Sequence, residues 1–356
     1  MHVIPDSVQD PAQRHLGSTK DAFGRTEYFI SRDIDYVELF VKNRKDSDLR
    51  NQLTRYNLKE FSAVIIELPV YPKSIKFLKK KYPSLKVYVR AINAEFYHDW
   101  HYVYASLKYR HLRLAIKYGL LSVLRLYKDV VCARYADATL SITEWESRNY
   151  WQYIVNKRKL ATVPYFVPST YNSDIVLHSK EKLCVCLQST IQNPFLEDAA
   201  VNFNDAINKL HYASPDWEFC ITGAELDSDA PRTERLKATG LLESPFEILK
   251  RCRAVALLSD YGFGFKTKIL EAIQHRCFVL VTAGLYQRLP GQIQRYCLVV
   301  DLSDPDSFEA ALAKCLVEFP VVDVNALIRE EAFNNLDALL TRCFSNSKQS
   351  KETTEC

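Results

Sequence analysis

Two glycines, a lysine and the start of a predicted helix lie close together in the C-terminal half of the sequence. An apolar run at 254–258 has the composition of a strand, and Gly262 and Gly264 follow it. Lys266 comes next, and a helix is predicted to begin at about Thr267. Glycines let a backbone approach a ligand closely, while a helix N-terminus offers N–H groups and the positive end of its dipole. This arrangement predicts a site for a diphosphate.

Glu271 lies three residues after Lys268 in the same predicted helix. Its carboxylate is suited to accept hydrogen bonds from the two hydroxyls of a ribose. The same spacing is also that of an ordinary ion pair on a helix surface, and glycines also occur in tight turns. On local chemistry alone, ligand binding and a purely structural role both remain open.

Three titratable residues, Glu95, His98 and Asp99, follow a second predicted strand at 86–92. Open α/β sheets bind ligands beyond the carboxyl ends of their strands, so these side chains are candidates for a base that deprotonates an acceptor hydroxyl. Asp99 and Glu95 are favoured over His98 for this catalytic role. The alternative is that they are solvated residues at a helix start, where acids interact well with the helix dipole.

Basic and aromatic side chains are concentrated between residues 73 and 134, which contain 14 Lys+Arg and 3 Asp+Glu. This excess of positive charge predicts a surface for an anionic partner. A membrane or an anionic acceptor ranks first, a solvated helix face second, and nucleic acid a distant third. The residues assigned to this surface are Lys79, Lys80, Lys81, Arg110, Arg113 and Lys117, of which the last three share a face of one long helix predicted near 102–131.

The elements that must position these residues are those of an α/β protein with two domains. Apolar runs with strand character alternate with helical patterns, which predicts parallel sheets, and 356 residues exceed the usual size of one core. Prolines and turn-forming residues near 163–174 mark a linker, so the domains are predicted at 1–168 and 169–356. The expected architecture is two Rossmann-like domains facing across a cleft, with a last helix near 324–343 packing back toward the N-terminal domain. The predicted strands are 36–41, 63–68, 86–92, 138–142 and 161–163 in the first domain, and 183–187, 217–222, 254–258, 278–281 and 297–300 in the second.

Composition disfavours several other classes of protein. An apolar content of 47% with 25% charged residues excludes a disordered chain. No stretch of about 18 uncharged apolar residues and no signal-peptide pattern is present, so a cytoplasmic location is expected. The ten cysteines are scattered without the spacing of a zinc site, and we expect them to be small buried hydrophobes.

The segment from Gly262 to Ala272, followed by the strand at 278–281, resembles the donor-site signature of GT-B fold glycosyltransferases. The similar branch is the group 1 (family 4-like) type of bacterial exopolysaccharide and lipopolysaccharide enzymes. The resemblance implies that Lys266 contacts the donor diphosphate and that Glu271 holds the nucleotide ribose. The implied donor site consists of Gly262, Gly264, Phe265, Lys266, Lys268, Glu271 and Thr282. Many relatives have a second glutamate where this chain has Phe263, so retention or inversion stays open.

The resemblance extends over most of the chain. Residues 87–95 resemble the family's strand that ends in Arg-x-His-Asn-x-Glu, with Ile92 where histidine is usual. Residues 136–144, 163–165 and 192–195 resemble further family segments, the last with its Pro-Asn order reversed. The acceptor-binding residues assigned on this side of the cleft are Arg90, Asn93 and His98.

Together these features predict an enzyme that transfers a sugar from a UDP- or GDP-linked donor to a glycan or glycolipid, as in polysaccharide or lipopolysaccharide synthesis. We expect no metal and no permanently bound cofactor, and a cytoplasmic protein that lies peripherally on the cytoplasmic membrane. Two alternatives remain. One is a nucleotide-sugar epimerase of the same fold, and the other is a non-enzymatic anion- or membrane-binding module with a decayed donor site.

Overall fold

Two parallel six-stranded sheets form the centre of the protein. The computed structural model describes residues 1–10, 17–169, 180–188, 194–210, 216–223, 235–240, 242, 244–262, 264–320 and 323–352. The predicted α/β class with two Rossmann-like domains is confirmed. Contacts divide the chain into two compact units: unit 1 is Met1–Phe96, Leu120–Thr170 and Asn325–Cys356, and unit 2 is Tyr97–Gly119 and Tyr171–Val324.

Unit 1 is built on a sheet with the strand order β2-β1-β3-β4-β5-β6. Its strands are β1 (His2–Pro5), β2 (Glu38–Val41), β3 (Ala63–Glu67), β4 (Lys86–Ala91), β5 (Ala138–Ser141) and β6 (Leu160–Thr162). The helices between these strands along the chain are α1 (Gly17–Ser31), α2 (Asp46–Leu53), α3 (Pro72–Lys81), α4 (Glu95–Lys108), α5 (Leu112–Tyr135), α6 (Glu144–Glu146) and α7 (Gln152–Ile154). Most of α4 and the first part of α5 group with unit 2. Alternating runs of apolar residues thus form the parallel crossover units expected from the sequence.

The last helix, α14 (Val324–Glu352), packs its apolar face into the core of unit 1. Phe333 and Leu336 are buried in one cluster with Tyr28 and Phe166. The Tyr28 hydroxyl also donates a hydrogen bond of 2.7 Å to Asp337. The prediction that the C-terminal helix packs back toward the N-terminal domain is therefore confirmed.

Gly24 marks the closest approach of α1 to the strand-like segment after β6. A Cβ at this position would overlap the carbonyl oxygen of Phe166 and lie 2.8 Å from its carbonyl carbon. We expect Gly24→Ala to lower the free energy of unfolding by about 1–3 kcal/mol because backbone would have to move. Urea denaturation measures the change. Gly291→Ala is the matched control, since a Cβ at Gly291 meets nothing within 4 Å, and equal stability of the two variants would contradict the close approach.

The single long helix predicted near 102–131 is wrong, because α4 and α5 are separated by a turn. Arg110 has a left-handed backbone with φ of 60°. The turn is closed by the amides of Arg110 and His111, which donate to the carbonyls of Leu107 (3.1 Å) and Ser106 (2.7 Å). Arg110 therefore does not share a helical face with Arg113 and Lys117, and no glycine or proline in the sequence marks the break.

Unit 2 is built on a second sheet with the strand order β12-β11-β10-β7-β8-β9. Its strands are β7 (Glu181–Cys186), β8 (Glu218–Ile221), β9 (Leu236–Ala238), β10 (Cys252–Leu257), β11 (Phe278–Val281) and β12 (Cys297–Val299). Its helices are α8 (Pro194–Asn208), α9 (Phe246–Arg251), α10 (Thr267–Gln274), α11 (Ala283–Arg288), α12 (Gly291–Gln294) and α13 (Pro305–Lys314). Eight cysteines are described as free and buried, in agreement with the prediction that they are small core residues.

The compact units differ from the predicted split into 1–168 and 169–356 at two segments. Residues Tyr97–Gly119 group with unit 2, where Tyr109 and Lys108 bond the Asp198 carboxylate at 2.9 and 2.7 Å. Residues from Asn325 onward group with unit 1. The difference matters for function because Tyr97–Gly119 belongs to the same compact unit as the glycine loop.

Candidate functional site

The glycine loop joins β10 to α10 in unit 2, in the order strand, loop and helix predicted from the sequence. Gly262 and Gly264 have φ values of +83° and +98°, which favour glycine. A Cβ at Gly262 would lie 2.5 Å from Lys266 Nζ. Glycine at this position therefore allows the Lys266 side chain to lie against the loop backbone. Phe263 is outside the described residues.

The Lys266 ammonium is a desolvated charge in unit 2 with a strongly lowered pKa. Its pKa is lowered to about 7, mainly by burial and also by the neighbouring positive charges of Arg288 and Lys268. The ammonium lies 5.9 Å from the centre of the Phe195 ring. Within the described part of the chain, no hydrogen bond or ion pair to this ammonium is recorded. A desolvated cation that lacks a protein counterion has the properties expected of an anion-binding group.

The N-terminus of α10 adds backbone donors directly beside Lys266. Lys266 is the N-cap residue, and the Ile269 amide donates to its carbonyl at 3.0 Å. The N–H groups of Thr267 and Lys268 belong to the first turn, where no intrahelical acceptor exists. Their orientation and the helix dipole favour an anion at this end of α10.

Arg288 is a member of this site that the sequence did not reveal. Its guanidinium is buried and donates to the carbonyls of Gly262 and Asp260 at 2.9 and 3.0 Å. It thereby fixes the glycine loop and contributes a second positive charge near Lys266. No signal in the sequence identifies it, since it is an ordinary arginine at the end of the short helix α11.

Three other residues of the implied donor site are buried or hydrogen-bonded to the protein itself. Lys268 Nζ donates to the Leu187 carbonyl at 2.9 Å, and burial lowers its pKa. The Thr282 hydroxyl accepts a hydrogen bond of 3.3 Å from the Leu285 amide and so caps α11. Glu271 is buried in α10. These surroundings favour structural roles for Lys268 and Thr282, and the ribose contact of Glu271 stays a prediction, as does the pocket role of the half-buried Phe265.

An aromatic cluster lies beside the glycine loop within unit 2. The ring of Tyr102 is stacked on Tyr118 at 4.3 Å and contacts Phe195 at 4.1 Å. His98 packs edge-on against Phe195 at 5.3 Å. Because Phe195 also borders Lys266, the structure brings the predicted acceptor residue His98 to the same region as the lysine.

His101 is a second residue of this region that the sequence analysis did not single out. Burial lowers its pKa to about 4, and the positive charges of Arg288 and Lys266 act in the same direction. Its ring centre is 6.2 Å from that of Tyr261. The imidazole is therefore neutral at physiological pH. Its position three residues after His98 on one helix was the available signal, since such residues share a face.

The candidate bases have different surroundings. The Asp99 side chain is completely buried in unit 2. In unit 1, the Glu95 carboxylate forms an ion pair with Arg125 and accepts a hydrogen bond of 3.3 Å from Asn93. A general base must reach the acceptor hydroxyl. Neither carboxylate is openly exposed, and their catalytic roles stay predictions.

Arg90 is completely buried in unit 1 and bonded on several sides. Its guanidinium donates to both carboxylate oxygens of Asp21 at 3.0 and 3.1 Å. It also donates to the backbone carbonyls of Val163 and Pro164. These contacts favour a structural role at the end of β4 over contact with an acceptor.

The six basic residues assigned to an acceptor or membrane surface are not equivalent. Lys79 pairs with Asp137 at 2.8 Å and donates to the Pro83 and Leu85 carbonyls, so its charge is compensated. Lys81 packs over the Phe77 ring at 5.5 Å. The exposed members of the set are Lys80, Lys81, Arg110, Arg113 and Lys117.

Two kinds of feature are absent from the part of the chain that the structure describes. There, no group of three or more His, Cys, Asp or Glu side chains is arranged to hold a metal ion. None of the helices there has the length and apolar character to span a bilayer.

The segment that contains the glycine loop is similar to a known protein family. Residues 189–318 match the sequence model of the family described as "Glycosyl transferases group 1". No curated protein sequence matches the chain significantly.

Solved structures share the fold over nearly the whole chain. Anabaena Alr3699/HepE in complex with UDP has a TM-score of 0.55 at 10% identity, covering 99% of both chains. The same protein with UDP and glucose gives 0.53 at 9% identity and the same coverage. A glycosyltransferase from Rickettsia africae ESF-5 gives 0.54 at 12% identity, covering 99% of this chain and 97% of that one. Residues 189–318 are therefore similar to the group 1 glycosyltransferase family, and the chain has the two-sheet GT-B fold.

Proposed function

We propose that the protein transfers a sugar from a UDP- or GDP-linked donor to a hydroxyl group of a glycan or glycolipid. The observation that carries this proposal is the Lys266 ammonium, which lies at the N-terminus of α10 with no counterion among the described side chains. A diphosphate supplies the two negative charges that such a site lacks. One fold neighbour, Anabaena Alr3699/HepE, was solved with UDP and with UDP-glucose, which supports a nucleotide donor.

In the transfer, the bond between the sugar carbon and the diphosphate oxygen breaks, and a bond from the acceptor oxygen to that carbon forms. The electron pair of the broken bond stays on the diphosphate, which becomes more negative. Lys266, Arg288 and the first amides of α10 stabilise this charge, so no metal is required for the step. Preorganised donors of this kind provide much of the rate enhancement in such reactions.

The acceptor hydroxyl must lose its proton to a base, and Asp99 and Glu95 remain the proposed candidates. Asn93 and His98 are proposed to contact the acceptor. We further propose that the acceptor is a polysaccharide or lipid-linked glycan, of the lipopolysaccharide type, at the cytoplasmic face of the membrane. The exposed cations Lys80, Arg113 and Lys117 support an anionic acceptor or lipid surface.

Thermal unfolding with UDP, GDP, CMP and ADP tests the nucleotide site. One nucleotide at about a hundredfold excess over its Kd should stabilise the protein by about 2.7 kcal/mol, or about 5 °C in Tm. Absence of a response to all four would contradict both the transferase and the epimerase alternative. With the responding donor sugar, a labelled product that forms only when lipid extract is added indicates transfer, whereas an epimer formed without acceptor indicates an epimerase.

A further inference from the structure

One face of α5 consists of large apolar side chains exposed to solvent. Leu120 is 73% exposed, Val123 67% and Tyr127 58%. Spacings of three and four residues place such side chains on the same side of a helix. The α5 stripe, as we name this face, consists of Leu112, Ile116, Leu120, Val123, Leu124, Tyr127 and Val130. The exposure of these side chains is unusual, because a surface helix normally buries its large apolar residues.

The side of α5 that faces the protein core is packed by residues other than those of the stripe. Its buried residues are mostly small or polar, namely Ala115, Ser122, Asp129, Cys132 and Ala133. The Asp129 carboxylate, for example, accepts a hydrogen bond of 2.6 Å from Tyr150. Contiguous exposed apolar side chains on a folded protein mark a surface that binds a partner. The stripe therefore needs an occupant other than the core of this chain.

The positive charge around the stripe indicates what kind of partner would bind it. Between Trp100 and Lys128 the sequence has six Lys+Arg and no Asp or Glu, and two of the six, Lys108 and Arg125, pair with the carboxylates of Asp198 and Glu95. Arg113 and Lys117 are exposed on α5. Helical periodicity places Lys117 and Lys128 along one flank of the stripe. The partner should therefore combine an apolar interior with negative charge at its surface.

A second copy of this chain fits the stripe poorly. Paired helices in two copies would bring the same positive flanks together, without exposed acids on α5 to compensate them. An anionic bilayer has the complementary combination, because lipid phosphates lie directly above the acyl chains.

We infer that the α5 stripe binds an anionic membrane, with α5 lying in the plane of the interface. Leu120, Val123 and their neighbours enter the boundary between headgroups and acyl chains, while Arg113 and Lys117 contact lipid phosphates. This inference extends the proposed function, because membrane binding would bring the enzyme to a lipid-linked acceptor. Its biological role therefore rests on the proposed function. Its test needs no sugar transfer, so the two proposals fail separately.

Vesicle flotation of the full chain tests the apolar part of this surface. The chain should float with vesicles of phosphatidylcholine and phosphatidylglycerol and much less with phosphatidylcholine alone. Leu120→Ser combined with Val123→Ser should reduce the partition coefficient at least about tenfold, since both side chains are exposed and the fold does not depend on them. Leu316→Ser with Val317→Ser is the matched control on another exposed apolar site, 46% and 58% exposed, and should float like the unmodified chain.

Charge reversal tests the basic flank separately. Arg113→Glu with Lys117→Glu should abolish the preference for phosphatidylglycerol, whereas Lys45→Glu with Lys59→Glu, the same change at other exposed lysines, should retain it. Flotation of the stripe variant as efficient as that of its control would overturn the inference. So would a dimer in sedimentation that the stripe variant converts to a monomer while no form binds vesicles. A retained nucleotide-induced thermal shift in each variant shows that the donor site is intact.

Discussion

Replacing Lys266 by alanine should weaken the binding of the nucleoside diphosphate about a hundredfold. Hydrogen bonds to charged groups contribute about 1.5–3 kcal/mol, and this one would form in a partly desolvated site. The loss should be larger than for other lysines because no carboxylate among the described residues pairs with Lys266 and competes with the ligand. Titration calorimetry with the nucleotide that gives the largest thermal shift measures the change.

The matched control is Lys314→Ala, which removes an exposed lysine from α13. It should leave the affinity unchanged because charges on a distant surface are screened by salt. Equal affinities for Lys266→Ala and Lys314→Ala would place the diphosphate elsewhere. Retained affinity in Lys266→Ala would also remove the main support for the proposed leaving-group role.

The lowered pKa of Lys266 gives this interaction a pH dependence of defined sign. With a pKa of about 7, the lysine is mainly neutral at pH 8 in the free protein. The bound diphosphate favours the ammonium form, so binding takes up a proton and weakens as pH rises above about 7. Calorimetry in buffers with different ionisation enthalpies detects the proton, and the uptake should disappear in Lys266→Ala.

The same lysine lowers the stability of the unliganded protein. Between pH 7 and 10.5 the unfolded chain binds more protons at this group than the folded chain, so stability rises with pH across that window. The destabilisation is complete below pH 7. Lys266→Met should therefore stabilise the free protein at pH 6 by about 1 kcal/mol while it loses nucleotide affinity, a trade between stability and function seen at many binding sites.

The sequence predicted features that depend on neighbouring residues. Strand, glycine loop and helix at 254–275 lie within one short segment, and apolar runs predicted ten of the twelve strands. The two strands that were not predicted, β1 and β9, have four and three residues. The turn at Arg110 was missed because its left-handed backbone has no glycine to mark it.

Features that depend on distant residues were not predictable. Arg288 reaches the glycine loop from 26 residues beyond Gly262, and the sequence holds no pattern that specifies this contact. The exposure of the α5 stripe was likewise hidden, since a periodic apolar pattern on a helix normally indicates the buried face. Resemblance to a family suggested that Arg90 binds the acceptor. In the structure Arg90 pairs with Asp21, which lies 69 residues earlier, so the sequence did not reveal this contact.

Asp21 is the centre of a buried ion network in unit 1, and its loss should have the largest effect on stability. It pairs with Arg25 at 2.9 Å and with Arg90 at 3.0 Å, and all three side chains are buried. It also accepts a hydrogen bond of 2.8 Å from the Phe166 amide. Asp21→Asn keeps the shape but removes the carboxylate charge that pairs with the buried Arg90, while Arg25 keeps its ion pair with Glu67 at 2.6 Å. We expect a loss of about 3–5 kcal/mol in the free energy of unfolding, measured by urea denaturation.

Asp216→Asn is the matched control, because Asp216 pairs with Lys182 at 3.0 Å in a largely exposed position. Exposed pairs contribute at most about 1 kcal/mol, so this variant should unfold almost like the unmodified chain. Similar losses of unfolding free energy in Asp21→Asn and Asp216→Asn would contradict a stabilising role for the buried ion network.

The pH dependence of stability separates the charge of Asp21 from its shape. Burial alone would raise the Asp21 pKa, but Arg25 and Arg90 outweigh burial and lower it from 3.8 to about 2. A carboxyl with a lowered folded pKa stabilises the protein above its unfolded pKa, and this contribution is lost as pH falls from about 4 to 2. The unmodified chain should lose this part of its stability in that window, whereas Asp21→Asn should lack it at every pH. Parallel stability curves for the two proteins from pH 6 to pH 2 would assign the loss to packing instead of charge.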